Sequence, residues 1–282
     1  MNTIPRTSRI GGSPTLEVEQ RGQVRLLRLN RPARRNALDD ELGWGLVHAL
    51  SDAQADPDTA VIALTGNGSA FCAGLDLRAE RDLQAHSGMS EEDVNLDDLR
   101  WISRFLLTIR QRCDKPVVAG INGPAVGAGL ALAMACDLRI MAASATLMSG
   151  YARVGGAPDG GLSLTLLEAV GYERALRLLL EVEPIDAVEA RSLGLVGEVV
   201  DDVALLGCLV DYCQSLAGIS HATLRLTKRS LRNAARHQDL EGHLRYELAN
   251  LQKAFSTDVS YQARQSLNRH GDVPRGQGNV TG

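Results

Sequence analysis

Aromatic side chains are scarce in this chain, 4% of 282 residues, and long apolar runs are missing altogether. None approaches the ~18 residues that a membrane-spanning helix needs, which excludes a helical span. An excess of either charge is lacking too: a net charge of −4 offers no basis for binding nucleic acid or an anionic membrane. Any phosphate-bearing ligand must therefore be held by local groups. The five cysteines, Cys72, Cys113, Cys136, Cys208 and Cys213, are odd in number and form no CxxC pair. This argues against a disulfide framework or a zinc site and for free thiols in a reducing cytoplasm. No GxxxxGK[ST], HExxH or GxSxG occurs, so nucleotide-triphosphatase, zinc-protease and α/β-hydrolase chemistry have no anchor. No repeat recurs at a fixed period. Met1 to Pro14 is polar, carries scattered arginines and lacks an apolar h-region, so it reads as a loose tail rather than a signal peptide.

What is present is an ordinary globular composition, 44% hydrophobic and 23% charged, in a chain long enough for a substantial core. Thr15 to Gln20 and Val24 to Leu29 alternate around Arg21-Gly22-Gln23, the pattern of a hairpin. A basic loop, Arg31 to Leu38, precedes Asp39, a good N-cap for a helix to about Gln54. Val61 to Thr65 and Pro116 to Ile121 read as buried strands, with Leu138 to Ala142 and Thr146 to Ser149 as further ones. Between them, Leu99, Ile102, Leu106 and Ile109 carry helical spacing, while 78–96, including His86, is polar and irregular and reads as a mobile border to a site. Beyond Leu162 the pattern is wholly helical. Strands alternating with helices and then helices alone predict an α/β core over 15–200, a helical subdomain over 201–270 and disordered tails at 1–14 and 271–282.

Two strands run into Gly-rich turns. One is Thr65-Gly66-Asn67-Gly68-Ser69-Ala70-Phe71-Cys72-Ala73-Gly74-Leu75-Asp76-Leu77; the other is Ile121-Asn122-Gly123-Pro124-Ala125-Val126-Gly127-Ala128-Gly129. Small residues leave backbone N–H groups uncovered where such turns pass into helices, and uncovered N–H groups favour a negative oxygen. Two facing turns would form a two-donor oxyanion site. A dinucleotide fold is the competing reading of the second turn, but no GxGxxG is completed and the first turn is left unexplained.

Arg31-Pro32 with Asn36-Ala37-Leu38, Gly66-Asn67-Gly68 with Phe71 to Leu77, Lys115-Pro116 with Asn122-Gly123, and Cys136-Asp137 follow one another along the chain, and the resemblance they carry runs from about Leu16 to Arg269. Together they resemble the enoyl-CoA hydratase/isomerase (crotonase) superfamily. The resemblance implies a crotonase-like (ClpP/crotonase) α/β fold of repeated ββα units and a C-terminal helical region used in trimerisation, with hexamers common. It implies an acyl-CoA substrate, no cofactor beyond that coenzyme A and no metal; the charge balance and apolar runs give the expectation of no nucleic-acid or membrane partner. Carried over by position, the oxyanion donors are the N–H groups of Ala73 and Ala128. The coenzyme A contacts are Ala73, Gly74, Leu75 and Asp76, with Arg31, Arg34 or Arg35 for phosphates.

Departures from the family matter as much. Its hydratases deliver water with two glutamates, and those positions hold Ala131 and Tyr151. Neither alanine nor a tyrosine with an ordinary pKa of about 10 is a ready base at neutral pH. Asp159, in Ala157-Pro158-Asp159-Gly160-Gly161, resembles the catalytic aspartate of dienoyl-CoA isomerases and an aromatic acyl-CoA dehalogenase branch. A lone carboxylate suits proton transfer between carbons, which favours double-bond isomerisation over hydration. The same turn also suits an aspartate capping the next helix. Tyr151 could donate to the acyl group or merely fill the space of the missing glutamate. Cys72 reads as a small buried residue rather than a nucleophile, Asp76 could cap a following helix, and His221 and His237 read as surface groups. The alternative to an enzyme is a catalytically degenerate acyl-CoA-binding protein.

Overall fold

The computed structural model describes residues 7–78, 100–235, 239–259, 261, 262 and 265. The chain divides into two compact units, Met1–Gly218 and Ile219–Gly282. Expectations for 79–96, His86, His237 and the tail over 271–282 fall outside the described residues.

In the first unit the elements run β1 (Thr7–Ser13), β2 (Leu16–Arg21), β3 (Val24–Leu29), α1 (Asp40–Ala55), β4 (Val61–Gly66) and α2 (Arg100–Leu107), the last continuing as a π-helical turn, Thr108–Arg112. Then come β5 (Val117–Ile121), β6 (Ala125–Val126), α3 (Ala128–Ala135), β7 (Leu138–Ala142) and β8 (Leu147–Met148). They are followed by α4 (Leu162–Val170), α5 (Tyr172–Leu180), α6 (Ala187–Ser192), β9 (Glu198–Val200) and α7 (Leu205–Ala217). The second unit holds α8 (His221–Ala234) and α9 (Leu240–Phe255).

A seven-stranded sheet in the order β1-β2-β3-β4-β5-β7-β9 forms the core, and β6 and β8 make a small second sheet. β1, β2 and β3 pair antiparallel; from β3 to β9 the neighbours are parallel. Parallel strands covered on both faces read as continuous apolar runs, and every residue of β5 and all of β4 but its last are buried. Asp39 caps α1 by accepting the Leu42 N–H at 3.0 Å. Trp101 of α2 lies over Gly43 of α1, where a Cβ would fall 2.2 Å from the indole, and the indole N–H donates to Asp40 at 2.7 Å.

Three expectations are corrected. Thr7–Ser13, assigned to a loose tail, is the edge strand β1: antiparallel backbone pairing to β2 needs no apolar pattern. The stretch beyond Leu162 is not wholly helical, since Glu198–Val200 adds β9 beside β7. The compact unit also runs past residue 200 to Gly218, because α7 docks on the sheet, with Leu209 against Gly120 of β5 and Leu209 and Cys213 fully buried. The helical stretch past it, α8 and α9, is the second unit. Its helices are joined by hydrogen bonds from Asn250 to Ser230 (3.0 Å) and between His243 and Asn233 (2.9 Å).

Candidate active site

Because β4 and β5 are adjacent and parallel, the Gly-rich segments that follow them leave the same end of the sheet side by side. Two asparagines stitch them. Asn122 accepts the Gly66 N–H at 3.0 Å and donates to the carbonyls of Gly68 (3.0 Å) and Ala70 (3.2 Å). Asn36, fully buried, accepts the Arg31 N–H at 2.9 Å and donates to the carbonyls of Asn67 (2.9 Å) and Ala70 (2.8 Å). The chain then crosses over: Cys72 N–H donates to Pro124 at 3.1 Å, Val126 N–H donates to Cys72 at 2.9 Å, and Gly127 N–H donates to Met148 at 3.0 Å. Three segments, 72–76, 126–128 and 148–151, thereby meet at the start of α3.

At that meeting point backbone direction decides which N–H groups are available. Ala73 donates its N–H to the Arg35 carbonyl at 2.9 Å, so it is not the expected oxyanion donor. Leu75 stands in a parallel bridge to Leu38, in which Leu38 N–H donates to Gly74 (2.7 Å) and Asp76 N–H donates to Leu38 (2.8 Å). In extended backbone this turns the N–H of Leu75 itself to the opposite side. Ala128 is the first residue of α3, whose N-cap Gly127 offers no side-chain acceptor. Among the described residues neither Leu75 nor Ala128 donates to a backbone acceptor. The first turn of a helix carries uncompensated N–H dipoles that favour negative charge. Gly74, at φ 89°, fits the gap between the two: a Cβ there would lie 2.6 Å from the Val126 oxygen and 3.4 Å from the Ala128 nitrogen.

Arg31 and Asp76, expected to touch ligand, instead hold each other. The Arg31 guanidinium reaches Asp76 at 3.1 Å, Asp39 at 2.9 Å and the Ala37 carbonyl. Asp76 is buried, which by itself would raise its pKa; the Arg78 N–H at 3.2 Å, the Arg31 hydrogen bond and the Arg31 and Arg34 charges outweigh this and hold the carboxyl below the usual range. The pair fastens the first Gly-rich segment to the basic loop. Arg34 and Arg35 are exposed and make no ion pair among the described residues, so they are the cations of that loop open to an anion. Cys72 is fully buried, and burial pushes its thiol up to about 12, so it is a packing residue and not a nucleophile.

The turn bearing Asp159 sits on α2 and α3. Its glycines Gly160 and Gly161 adopt φ of 59° and 78°, and a Cβ on Gly160 would fall 3.1 Å from both Ala131 Cβ and Phe105 Cζ. The residue standing where a hydratase glutamate is expected is thus a fully buried methyl group under this turn. Asp159 does not cap α4, whose N-cap is Gly161 with no side-chain bond. Its Oδ1 accepts the Tyr151 hydroxyl proton at 2.5 Å. Tyr151 is 8% exposed; burial first, then the hydrogen bond and charge of Asp159, push its pKa far up, so the hydroxyl keeps its proton. Its hydroxyl goes to Asp159, a role the sequence reading did not contemplate.

The sequence profile of the enoyl-CoA hydratase/isomerase family matches residues 19–271. The chain belongs to the enoyl-CoA hydratase/isomerase family. A Mycobacterium leprae protein described as "Probable enoyl-CoA hydratase echA12" is 34% identical over 244 residues, 84% of this chain and 81% of that protein. Among solved structures, an enoyl-CoA hydratase from Bacillus anthracis is similar with a TM-score of 0.77 and 30% identity, covering 91% of this chain and 96% of its own. A monofunctional enoyl-CoA isomerase from Mycobacterium smegmatis is similar with a TM-score of 0.69 and 31% identity, covering 82% and 99%. The fold is therefore crotonase-like, and the protein is an enzyme of this family. Among the described residues no single helix is long and apolar enough to cross a membrane.

Proposed function

We propose that the protein moves a double bond within an acyl-CoA thioester, with Asp159 as the acid/base. A proton leaves the carbon α to the thioester for the Asp159 carboxylate, and the electron pair passes to the thioester oxygen. The N–H groups of Leu75 and Ala128 hold that oxygen as the enolate forms. Protonated Asp159 then returns the proton to the γ carbon, which regenerates the carboxylate and leaves the double bond shifted by one position. No water and no cofactor beyond the substrate's coenzyme A enter this cycle. Arg34, exposed beside the first Gly-rich segment, is the contact for the coenzyme's phosphates.

The observation that carries the reading is the replacement of both glutamate positions by Ala131 and the Tyr151–Asp159 pair, which leaves a carboxylate suited to shuttling one proton. Assembly into trimers, or hexamers of two trimers, is the reading supported by the second unit, where Leu240, Leu244, Leu248, Leu251 and Phe255 of α9 stay exposed at helical spacing. Free thiols throughout support a cytoplasmic location.

The test is to supply 3-enoyl-CoA and 2-enoyl-CoA thioesters and follow isomerisation and hydration separately. Isomerisation that disappears in Asp159→Ala, with hydration slower by at least about 10²-fold, supports the proposal. Dominant hydration overturns it. Tight acyl-CoA binding without turnover of any thioester establishes the degenerate binding protein instead.

A further inference from the structure

We infer that Tyr151 is the positioning residue of this site: its hydroxyl, donating to Oδ1 of Asp159, aims the carboxylate and stabilises it as the anion that accepts the substrate proton. The inference rests on the reading of Asp159 as the acid/base group.

A residue that only filled the glutamate's space would need a ring and no hydroxyl. Tyr151 instead places its oxygen 2.5 Å from a carboxylate oxygen at a position where the residue is 8% exposed. Hydrogen bonds between a hydroxyl and a carboxylate are short and strong, and donation to the charged form favours that form. The backbone on each side restricts where the carboxylate can go. Tyr151 follows Gly150, where a Cβ would meet Val126 at 3.0 Å, so the ring is carried by a segment packed against the start of α3. Asp159 precedes Gly160 and Gly161, which rest on Ala131, Phe105 and Leu106. Both partners are thus anchored in part on α3 and the residues just before it, the helix whose first residue is Ala128, and the N-cap of the helix that follows is Gly161, not Asp159.

The direction of donation is fixed by the surroundings. Ala131 of α3 and Ile102, Phe105 and Leu106 of α2, which flank the turn, cannot titrate. Among the described residues, the titratable groups whose charge reaches Tyr151 are Asp159 and Cys72, and Cys72 is held neutral by its burial. Tyr151 therefore keeps its proton and remains a donor through the neutral range.

Tyr151→Phe removes the oxygen and keeps the ring. Its expected effect is a kcat lower by about 10-fold with KM within about two-fold, and an acidic limb of the kcat/KM profile displaced upward by about one pH unit. A Tyr151→Phe enzyme with the wild-type kcat and acidic limb overturns the inference. Asp159→Asn with wild-type turnover sinks the acid/base reading itself, a result that Tyr151→Phe cannot mimic. A readout without turnover is infrared difference titration of the carboxylate that vanishes in Asp159→Asn: in Tyr151→Phe it should protonate about one pH unit higher, and an unmoved band counts against the inference. Should Tyr151→Phe not fold, the ultraviolet titration of Tyr151 in Asp159→Asn decides: the tyrosine should ionise at lower pH than in the wild type, and unchanged ionisation means that the two side chains are not coupled.

Discussion

Gly74 faces the carbonyl oxygen of Val126 with space for a hydrogen atom and nothing larger: a Cβ there would stand 2.6 Å from that oxygen, with the Ala128 nitrogen at 3.4 Å. The first Gly-rich segment can therefore lie against the start of α3 only while position 74 has no side chain. Gly74→Ala combines that collision with an L-residue at φ 89°. We expect a loss of about 1–3 kcal/mol in stability by urea denaturation and a fall in turnover beyond what the unfolded fraction explains, since the two donor amides are pushed apart. Full activity in a folded Gly74→Ala enzyme would show that the two amides do not act on one oxygen.

Ala128 permits a cleaner removal of one of the two proposed donors. Proline suits the first position of a helix, where its missing N–H takes no part in the helix's own bonding. Ala128→Pro should thus fold, as judged by circular dichroism, while kcat drops about 10²–10³-fold, the usual effect of losing one oxyanion donor. Ala73→Pro makes a different change: it deletes the N–H that donates to Arg35 and should act chiefly on stability. A well-folded, inactive Ala73→Pro enzyme would return the first donor from Leu75 to Ala73, and a folded, fully active Ala128→Pro enzyme would remove Ala128 from the pair.

The Arg31–Asp76 contact predicts a dependence of stability on acid. Asp76 has its folded pKa depressed, so its contribution is fully present above the unfolded carboxylate value of 3.8 and is lost as pH falls from there through the folded value. Urea midpoints measured from neutral pH down to about 3 should fall less steeply below pH ~4 in Asp76→Asn than in the wild type. At neutral pH the substitution should cost about 1–3 kcal/mol, because a charge-assisted hydrogen bond at 3.1 Å is lost. Parallel acid limbs in the two proteins would mean that Asp76 carries no linked protonation.

Which parts of this architecture the letters disclose follows from whether the determinant is local. The β2–β3 hairpin, β4, β5 and the Asp39 cap are written in alternation, apolar runs and a single capping side chain, each read within a few residues. β9 is three residues between helices, too short for a period, and β1, with a single apolar residue, is an edge strand that shows no alternation. The first Gly-rich segment, proposed to carry one oxyanion donor, shows the same limit more sharply. Its residues mark it out, yet the choice between the N–H of Ala73 and that of Leu75 depends on Arg35 and Leu38, which lie far earlier in the chain. Arg31 looked like an anion clamp because Asp76, 45 residues away, was not visible as its partner. In sequence the Asp159 turn fits a helix cap and an acid/base carboxylate equally well; its bond to Tyr151 depends on how the turn packs and is not written locally.

The contact between Gly120 and Leu209 tests whether α7 belongs to the sheet unit energetically as well as spatially. A Cβ on Gly120 would lie 2.6 Å from Leu209 Cδ2, and Leu209 is fully buried although it follows the composition shift near residue 200. Gly120→Val should displace α7 and cost about 1–3 kcal/mol through overpacking. Leu209→Ala should cost about 2–5 kcal/mol by removing the side chain and leaving a cavity. The double variant should recover part of the sum, because the valine fills space that the leucine has vacated, giving a coupling of about 0.5–3 kcal/mol in a double-mutant cycle. Strict additivity, measured by urea unfolding of all four proteins, would mean that α7 does not press on β5 in solution, and the core would then end before Leu205.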